Sequence, residues 1–256
     1  MTAAEIAWRH MTPKAREIAE KLAKIGTDAR TDTFLTVSVW ADDFKNQTNG
    51  PWHYRDTYFR ADGKKTDLKP DEQNAVWAME KFTKVLGDAN ASEADRAEAL
   101  RFIVHVGADL HQPLHCVGRV TDDLPKGDRG GNDFPVVSPA SFTPKPRNLH
   151  FLWDMGCGLF GKTDRPLTPD GIRQVAQWAD EAEAIFPESR HRSLARNLNF
   201  DEWTKEGLEL CKKQVYNLTP NTIPSEAYLA AGRKTCLERC ALAGYRLANL
   251  LNKLLK

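Results

Sequence analysis

Long apolar runs are missing from this chain of 256 residues. None approaches the roughly 20 consecutive residues that a helix needs to cross a bilayer, so no membrane span is expected. The N-terminal region is broken by charge throughout and holds no apolar stretch of the kind that directs secretion. An excess of charge is missing as well. Thirty-six basic side chains face 35 acidic ones, for a net charge of +1. That balance excludes a polycationic surface built for non-specific duplex binding and confines any nucleic-acid contact to a local patch. Cysteine is scarce: the five, at positions 116, 157, 211, 236 and 240, are an odd number in a chain too large to depend on a disulfide framework. A bridge from Cys211 to Cys236 or Cys240 stays open. Convincing period-two alternation, internal repeats and low-complexity tracts are absent too, which argues against a β architecture or a repeat array.

What is present is helical punctuation. Thr12-Pro13 places a capping residue before a proline at the first helical position, and Ala15, Ile18, Ala19 and Leu22 then form one apolar stripe up to Gly26. Pro70 opens a second predicted helix, with Ala75, Val76, Met79, Phe82 and Leu86 at helical spacing before Gly87. Ser92 and Asp95 resemble a capping box ahead of a third, which runs towards Pro113. Residues 168 to 186 repeat the Thr-Pro start, and Leu237, Ala241, Leu247, Leu251 and Leu254 mark a long C-terminal helix. The expectation is an all-α protein of a single domain, residues 1–256. Between about 117 and 147 the chain is rich in Gly, Pro and Asp and reads as a long irregular loop, a feature that is usually functional inside a compact domain.

The stretch richest in chemistry is His105-Val-Gly-Ala-Asp109-Leu-His111-Gln-Pro-Leu-His115. Positions i and i+4 of a helix face the same way, so His105 and Asp109 can meet one ion. Pro113 disfavours helical geometry at Gln112 and should end or bend the helix, turning His115 towards a different ion. Asn148-Leu-His150-Phe-Leu-Trp-Asp154 repeats the His-x3-Asp spacing, and upstream Asp42 and His53 each stand beside tryptophan. One His-x3-Asp pair is weak, because helix faces carry such pairs routinely. The conjunction of Asp42, His53, His105, Asp109, His115, His150 and Asp154 supplies four imidazoles and three carboxylates with no Cys-x2-Cys pair. That is the nitrogen and oxygen donor set of catalytic zinc, which leaves positions open to water, and not of a closed structural zinc site.

In order and wording these segments resemble the zinc-dependent single-strand-specific nucleases, also called bifunctional nucleases or 3'-nucleotidases. The resemblance runs from the first residues to the C-terminal helix. It implies the all-helical fold shared with zinc-dependent phospholipase C and a cleft holding three zinc ions. Asp42, His53, His105 and Asp109 would hold one zinc, with Asp109 bridging to a neighbour, and His115, His150 and Asp154 would hold another. In the family the remaining zinc takes an N-terminal tryptophan and a nearby histidine. Trp8 and His10 do not align with them, so a signal peptide and a short mature segment are expected to precede Met1 in the natural protein, which would be secreted or periplasmic. Two zinc sites are then well supported here.

The resemblance further implies in-line attack of activated water on a phosphodiester of single-stranded DNA or RNA, with 5'-phosphorylated products and a possible 3'-nucleotidase activity. Asp42 and Asp109 would serve the reaction through the metal. Lys45 stands where the family has an arginine on the phosphate, and a lysine there is a point charge without the bidentate grip. Tyr54 and Asp56 match a base pocket, one ring for stacking and one carboxylate for the base edge. Stacking requires an unpaired base, which fits single-stranded nucleic acid and nucleotides as partners of a near-neutral monomer. Two alternatives remain: a zinc-dependent phospholipase C, and a zinc-binding homologue with impaired catalysis. His111 is expected to support the site without binding metal, Cys116 to be an ordinary buried thiol, and the segment 128–132 to be a plain turn or a cleft-lining loop.

Overall fold

The computed structural model describes residues 1–256, and seven of its ten α-helices begin at a residue whose side chain caps the first turn. α1 (Thr2–His10) precedes α2 (Pro13–Ala23), which starts at Pro13 with the Thr12 hydroxyl accepting from Ala15 N at 3.2 Å. After the short α3 (Trp40–Asp43) and a strand β1 (Thr57–Arg60) come α4 (Ala75–Gly87) and α5 (Glu93–Asp109). A second strand, β2 (Val117–Val120), and α6 (Leu149–Asp154) carry the chain to α7 (Pro169–Ile185), α8 (Glu188–Ala195), α9 (Phe200–Leu210) and the long α10 (Glu226–Leu254). The capping residues Ser92 and Thr168 accept from Asp95 N and Gly171 N, as the sequence predicts. The fold is all-α.

Two expectations need correction. The helix expected from Pro70 begins at Ala75: the Asn74 amide oxygen accepts from Val76 N and Trp77 N, and Lys69 before the proline has no comparable capping group. Strands also exist. β1 and β2 pair in parallel, Thr57 opposite Val117 through Arg60 opposite Val120. Four residues each are too few to show alternation, and β2 opens the segment read as irregular. This ladder matters to function, because just before it Arg55 N donates to the His115 carbonyl at 2.8 Å and the His115 ring returns Nδ1 to the His53 carbonyl at 3.0 Å. Two distant histidines are thereby held side by side.

The main core is built from α1, α2, α4, α5 and α10, around Phe34, Met79, Phe102, Ile103, Leu247 and Leu251. Gly107, in the turn of α5 between His105 and Asp109, lets α10 approach closely: a Cβ there would lie 2.7 Å from Leu247 Cδ2. The histidine-bearing helix is thus seated on the longest helix of the molecule. A second core, with Trp153, Leu152, Val117 and Cys116, lies under α6. All five cysteines are free, so no bridge joins Cys211 to Cys236 or Cys240.

Candidate metal centre and substrate cleft

α5 ends at Asp109 and a 3-10 turn covers Pro113–Cys116, so the chain turns at the proline and carries His115 away from the helix axis. His105 and Asp109 project together from the last turn of α5, with Nε2 to Oδ2 3.1 Å. The 3-10 turn Gly50–His53 brings His53 Nδ1 to 2.9 Å from His105 Nε2, and α3 brings Asp42 Oδ1 to 3.6 Å from the same nitrogen. Asp42, His53 and His105 form one group with donor atoms within 4.8 Å of one another. His115, His150 and Asp154 form another, the last two projecting from α6, whose start is capped by the Asn148 side chain on Phe151 N. Asp109 lies between the groups, its Oδ2 3.3 Å from His53 Nδ1 and 3.8 Å from His115 Nδ1.

Three of the four imidazoles are aimed by main-chain carbonyls. His105 Nδ1 donates to Ser38 O at 2.6 Å, His115 Nδ1 to His53 O at 3.0 Å and His150 Nδ1 to Gly130 O at 2.7 Å. With Nδ1 committed, Nε2 of His105, His115 and His150 is the atom that faces a group and, when unprotonated, offers a lone pair. His53 does the reverse and offers Nδ1.

The fit to a cation follows from what the protein leaves unbalanced. Asp109 Oδ2 is buried among imidazole nitrogens, yet no N–H is aligned on it, and His53 Nε2 is buried without a partner. Burial opposes charge on Asp109, but His105 and His115 outweigh it and hold the carboxyl well below its ordinary range. Burial likewise opposes a charged His115, but Asp109 and Asp154 outweigh it and raise the imidazole to about 9. His150 is lowered by burial and by the His115 charge. Gathered anionic oxygens and nitrogen lone pairs are an arrangement that a divalent cation completes.

Lys45 stands at the junction of two hollows. The larger, about 400 Å³, contains Asp42, Asp109, His115, His150 and Asp154; the smaller, about 220 Å³, contains His53, Tyr54, Asp56, Arg129, Gly130 and Asn132. Every site residue expected from the sequence except His105 lines one of these two hollows, His105 being buried behind His53, and Arg129, Gly130 and Asn132 of the 128–132 segment form a cleft wall. Burial, with the charges of Asp128 and Asp71, raises the Asp56 carboxyl to about 6.

Several supporting residues escaped sequence reasoning. Asp128 is buried and holds the loop by accepting from Arg119 N at 2.9 Å and from the Tyr216 hydroxyl at 2.7 Å. Gln112 donates to Asp154 Oδ1 at 2.8 Å. His111, expected to be supporting, donates Nδ1 to Gly107 O and meets Arg246 Nη1 at 3.0 Å; burial and two arginines keep it neutral. Glu206 of α9 binds both Arg239 and Arg246 of α10. The only sequence trace of this network is the i, i+7 spacing of the arginines.

Gly130 offers a direct test of the second group. It has a φ of 59°, and a Cβ there would lie 2.3 Å from the Leu114 carbonyl and 3.4 Å from His150 Nδ1. Gly130→Ala should displace the carbonyl that aims His150 and weaken a divalent ion about 10–100-fold, the usual loss for an outer support. Competition with a chromogenic chelator measures this, and unchanged affinity would remove Gly130 from the site.

The chain matches the family described as S1/P1 Nuclease over residues 1–256. It is 27% identical to "Nuclease P1" of Penicillium citrinum over 164 residues, covering 60% of this chain and 54% of that protein. Against "Nuclease S1" of Aspergillus oryzae it is 32% identical over 136 residues, 50% of this chain and 42% of the relative. With "Endonuclease 4" of Arabidopsis thaliana the identity is 25% over 242 residues, 86% and 76% of the two chains. The matched segments span about half the length of the fungal relatives. The chain belongs to the S1/P1 nuclease family.

Proposed function

We propose that the protein is a zinc-dependent endonuclease that hydrolyses phosphodiester bonds of single-stranded DNA or RNA. The observation that carries this reading is the pair of donor groups in one cleft, with the buried, unmatched Asp109 oxygen between them. Asp42, His53, His105 and Asp109 would hold one ion, and His115, His150 and Asp154 a second. Zinc would supply Lewis acidity towards a phosphoryl oxygen and lower the pKa of water to about 7, so that no strong side-chain base is needed. The ammonium of Lys45, at the junction of the hollows, would neutralise a phosphate oxygen. The Tyr54 ring would stack on a base and the Asp56 carboxyl would meet its edge. A paired base presents neither a free face nor a free edge, so this pocket favours single strands without a basic surface.

The test compares acid-soluble nucleotide release from single-stranded and duplex DNA with phosphocholine release from phospholipid. Faster turnover of the single strand is expected. Turnover of lipid alone, or bound zinc with no hydrolysis of any substrate, overturns the reading.

A proton count tests the ligands separately. Because the His115 Nδ1 proton is held by a carbonyl, its second proton sits on Nε2, the atom a metal would take. His115 titrates at about 9, so at pH 7 it is protonated in the metal-free protein. Zinc uptake at pH 7 should therefore release at least one proton, and affinity should fall about tenfold per unit below that pKa for this proton alone. Above pH 9 this release should fade. Calorimetry in two buffers of different ionisation enthalpy reads the number, and a His115→Ala variant that releases as many protons as the unsubstituted protein removes His115 from the ligands.

A further inference from the structure

Just after α6 three consecutive residues take the left-handed backbone conformation: Gly156, Cys157 and Gly158, with φ of 59°, 55° and 87°. That region suits glycine and strains any residue with a Cβ, yet the middle position carries a cysteine. Strain of this kind persists only where the surroundings hold it, and an observed case points to a task for the side chain.

The Cys157 side chain is fully buried and rests on α10 at Gly232, where a Cβ would come 2.4 Å from its sulfur. Cys236 stands one helical turn further along the same face of α10. Side chains of a helix lean back towards its N-terminus, so the Cys236 thiol covers the turn that Gly232 leaves open. Both cysteines belong to the second core, and the Cys157 thiol, more than burial, raises that of Cys236 well above its ordinary range. Gly232 thus makes the room in which two thiols meet.

We propose that Cys157 and Cys236 are a redox pair whose oxidation to a disulfide ties the chain just after Asp154 to α10. The helix that carries His150 and Asp154 already rests on α10, since Trp153 Nε1 donates to the Tyr228 hydroxyl at 2.9 Å. A bond from Cys157, three residues beyond Asp154, makes that seat covalent and holds the second donor group in place. Cys236 also lines the hollow that contains the donors, so a small disulfide such as oxidised glutathione reaches it first. The Cys236 thiolate bonds to one sulfur of that reagent and expels the other half as a thiolate. Cys157 then gives up its proton and attacks the Cys236 sulfur, and the second half leaves as a thiol. Two protein thiols are oxidised and one reagent disulfide is reduced. Because the Cys236 thiol stays protonated at neutral pH, exchange in the folded protein should be slow, and folding in a redox buffer is the direct route.

The experiment refolds the denatured, reduced protein in a mixture of oxidised and reduced glutathione, with a fully reduced sample as reference. Thiols counted in denaturant should fall from five to three, and peptide mass mapping should find Cys157 joined to Cys236. The bond closes a loop of about 80 residues, so Tm of the metal-free oxidised protein should exceed that of the reduced one by about 5–15 °C. Zinc should also be lost to a chelator more slowly from the oxidised protein. Cys157→Ser and Cys236→Ser, which barely change volume, should each abolish the redox dependence of Tm, and Cys240→Ser should retain it. Five thiols after oxidation, or a bridge to any other cysteine, overturns the pair. A mapped bridge with zinc loss unchanged overturns its hold on the donor group. Thiol count and Tm require neither metal nor substrate, so this inference and the nuclease reading fail independently.

Discussion

Asp109→Asn is expected to lower kcat/KM for single-stranded DNA by about a thousandfold and to leave the protein with less bound zinc. The carboxylate touches both donor groups: its Oδ2 lies 3.1 Å from His105, 3.3 Å from His53 and 3.8 Å from His115. Asparagine keeps the size but removes the negative charge, leaving three converging imidazoles without their common counter-charge. Lewis-acid stabilisation of the transition state is worth several kcal/mol, and about 1.4 kcal/mol corresponds to each factor of ten in rate. A variant that retains stoichiometric zinc and full activity would show that Asp109 is a spectator and would undo the proposed centre. The same substitution should lower the pKa of His115 in the metal-free protein, because Asp109 is the largest of the charges that raise it. An NMR titration reads that change without any turnover.

Glu206→Ala is expected to be strongly destabilising. Its carboxylate binds Arg239 at 2.7 Å and Arg246 at 2.8 and 2.6 Å, and the Arg246 side chain is fully buried. Truncation leaves two guanidinium groups facing each other beside His111 with no anion. Removing one partner of a buried charged set costs about 3–5 kcal/mol, and a carboxylate one-quarter exposed belongs at the lower end. For a chain of this length about 3 kcal/mol lowers Tm by about 6–12 °C. Scanning calorimetry of the metal-free protein isolates this effect from zinc binding. Glu206→Gln, which retains a hydrogen-bond acceptor, should lose less, and equal losses for the two variants would exclude a charge-based role.

How legible this was depended on the distance over which each feature is encoded. The starts of α2, α5 and α7 were readable because Thr12-Pro13, Ser92 with Asp95, and Thr168-Pro169 act within one helical turn. Where two start signals competed, Asn74 won over Pro70 because a side chain able to cap the turn precedes the first apolar residue. The strands were not legible: four residues carry no periodicity, and β1 acquires its partner only when residues 117–120 are brought to it. The candidate ligands were legible as types and spacings, since His105 with Asp109 and His150 with Asp154 are set one helical turn apart.

By itself, then, the sequence determined the helical class, the starts of α2, α5 and α7 and the identity of the seven candidate donors, because capping and i, i+4 geometry are properties of short segments. Tertiary structure alone decided which carbonyl aims each imidazole. Ser38, His53 and Gly130 stand 67, 62 and 20 residues from the rings they orient. The Glu206 network arises in the same way. A hydrogen bond or a cleft wall requires only proximity in space, and along a chain of this length that proximity exists only once the helices have packed.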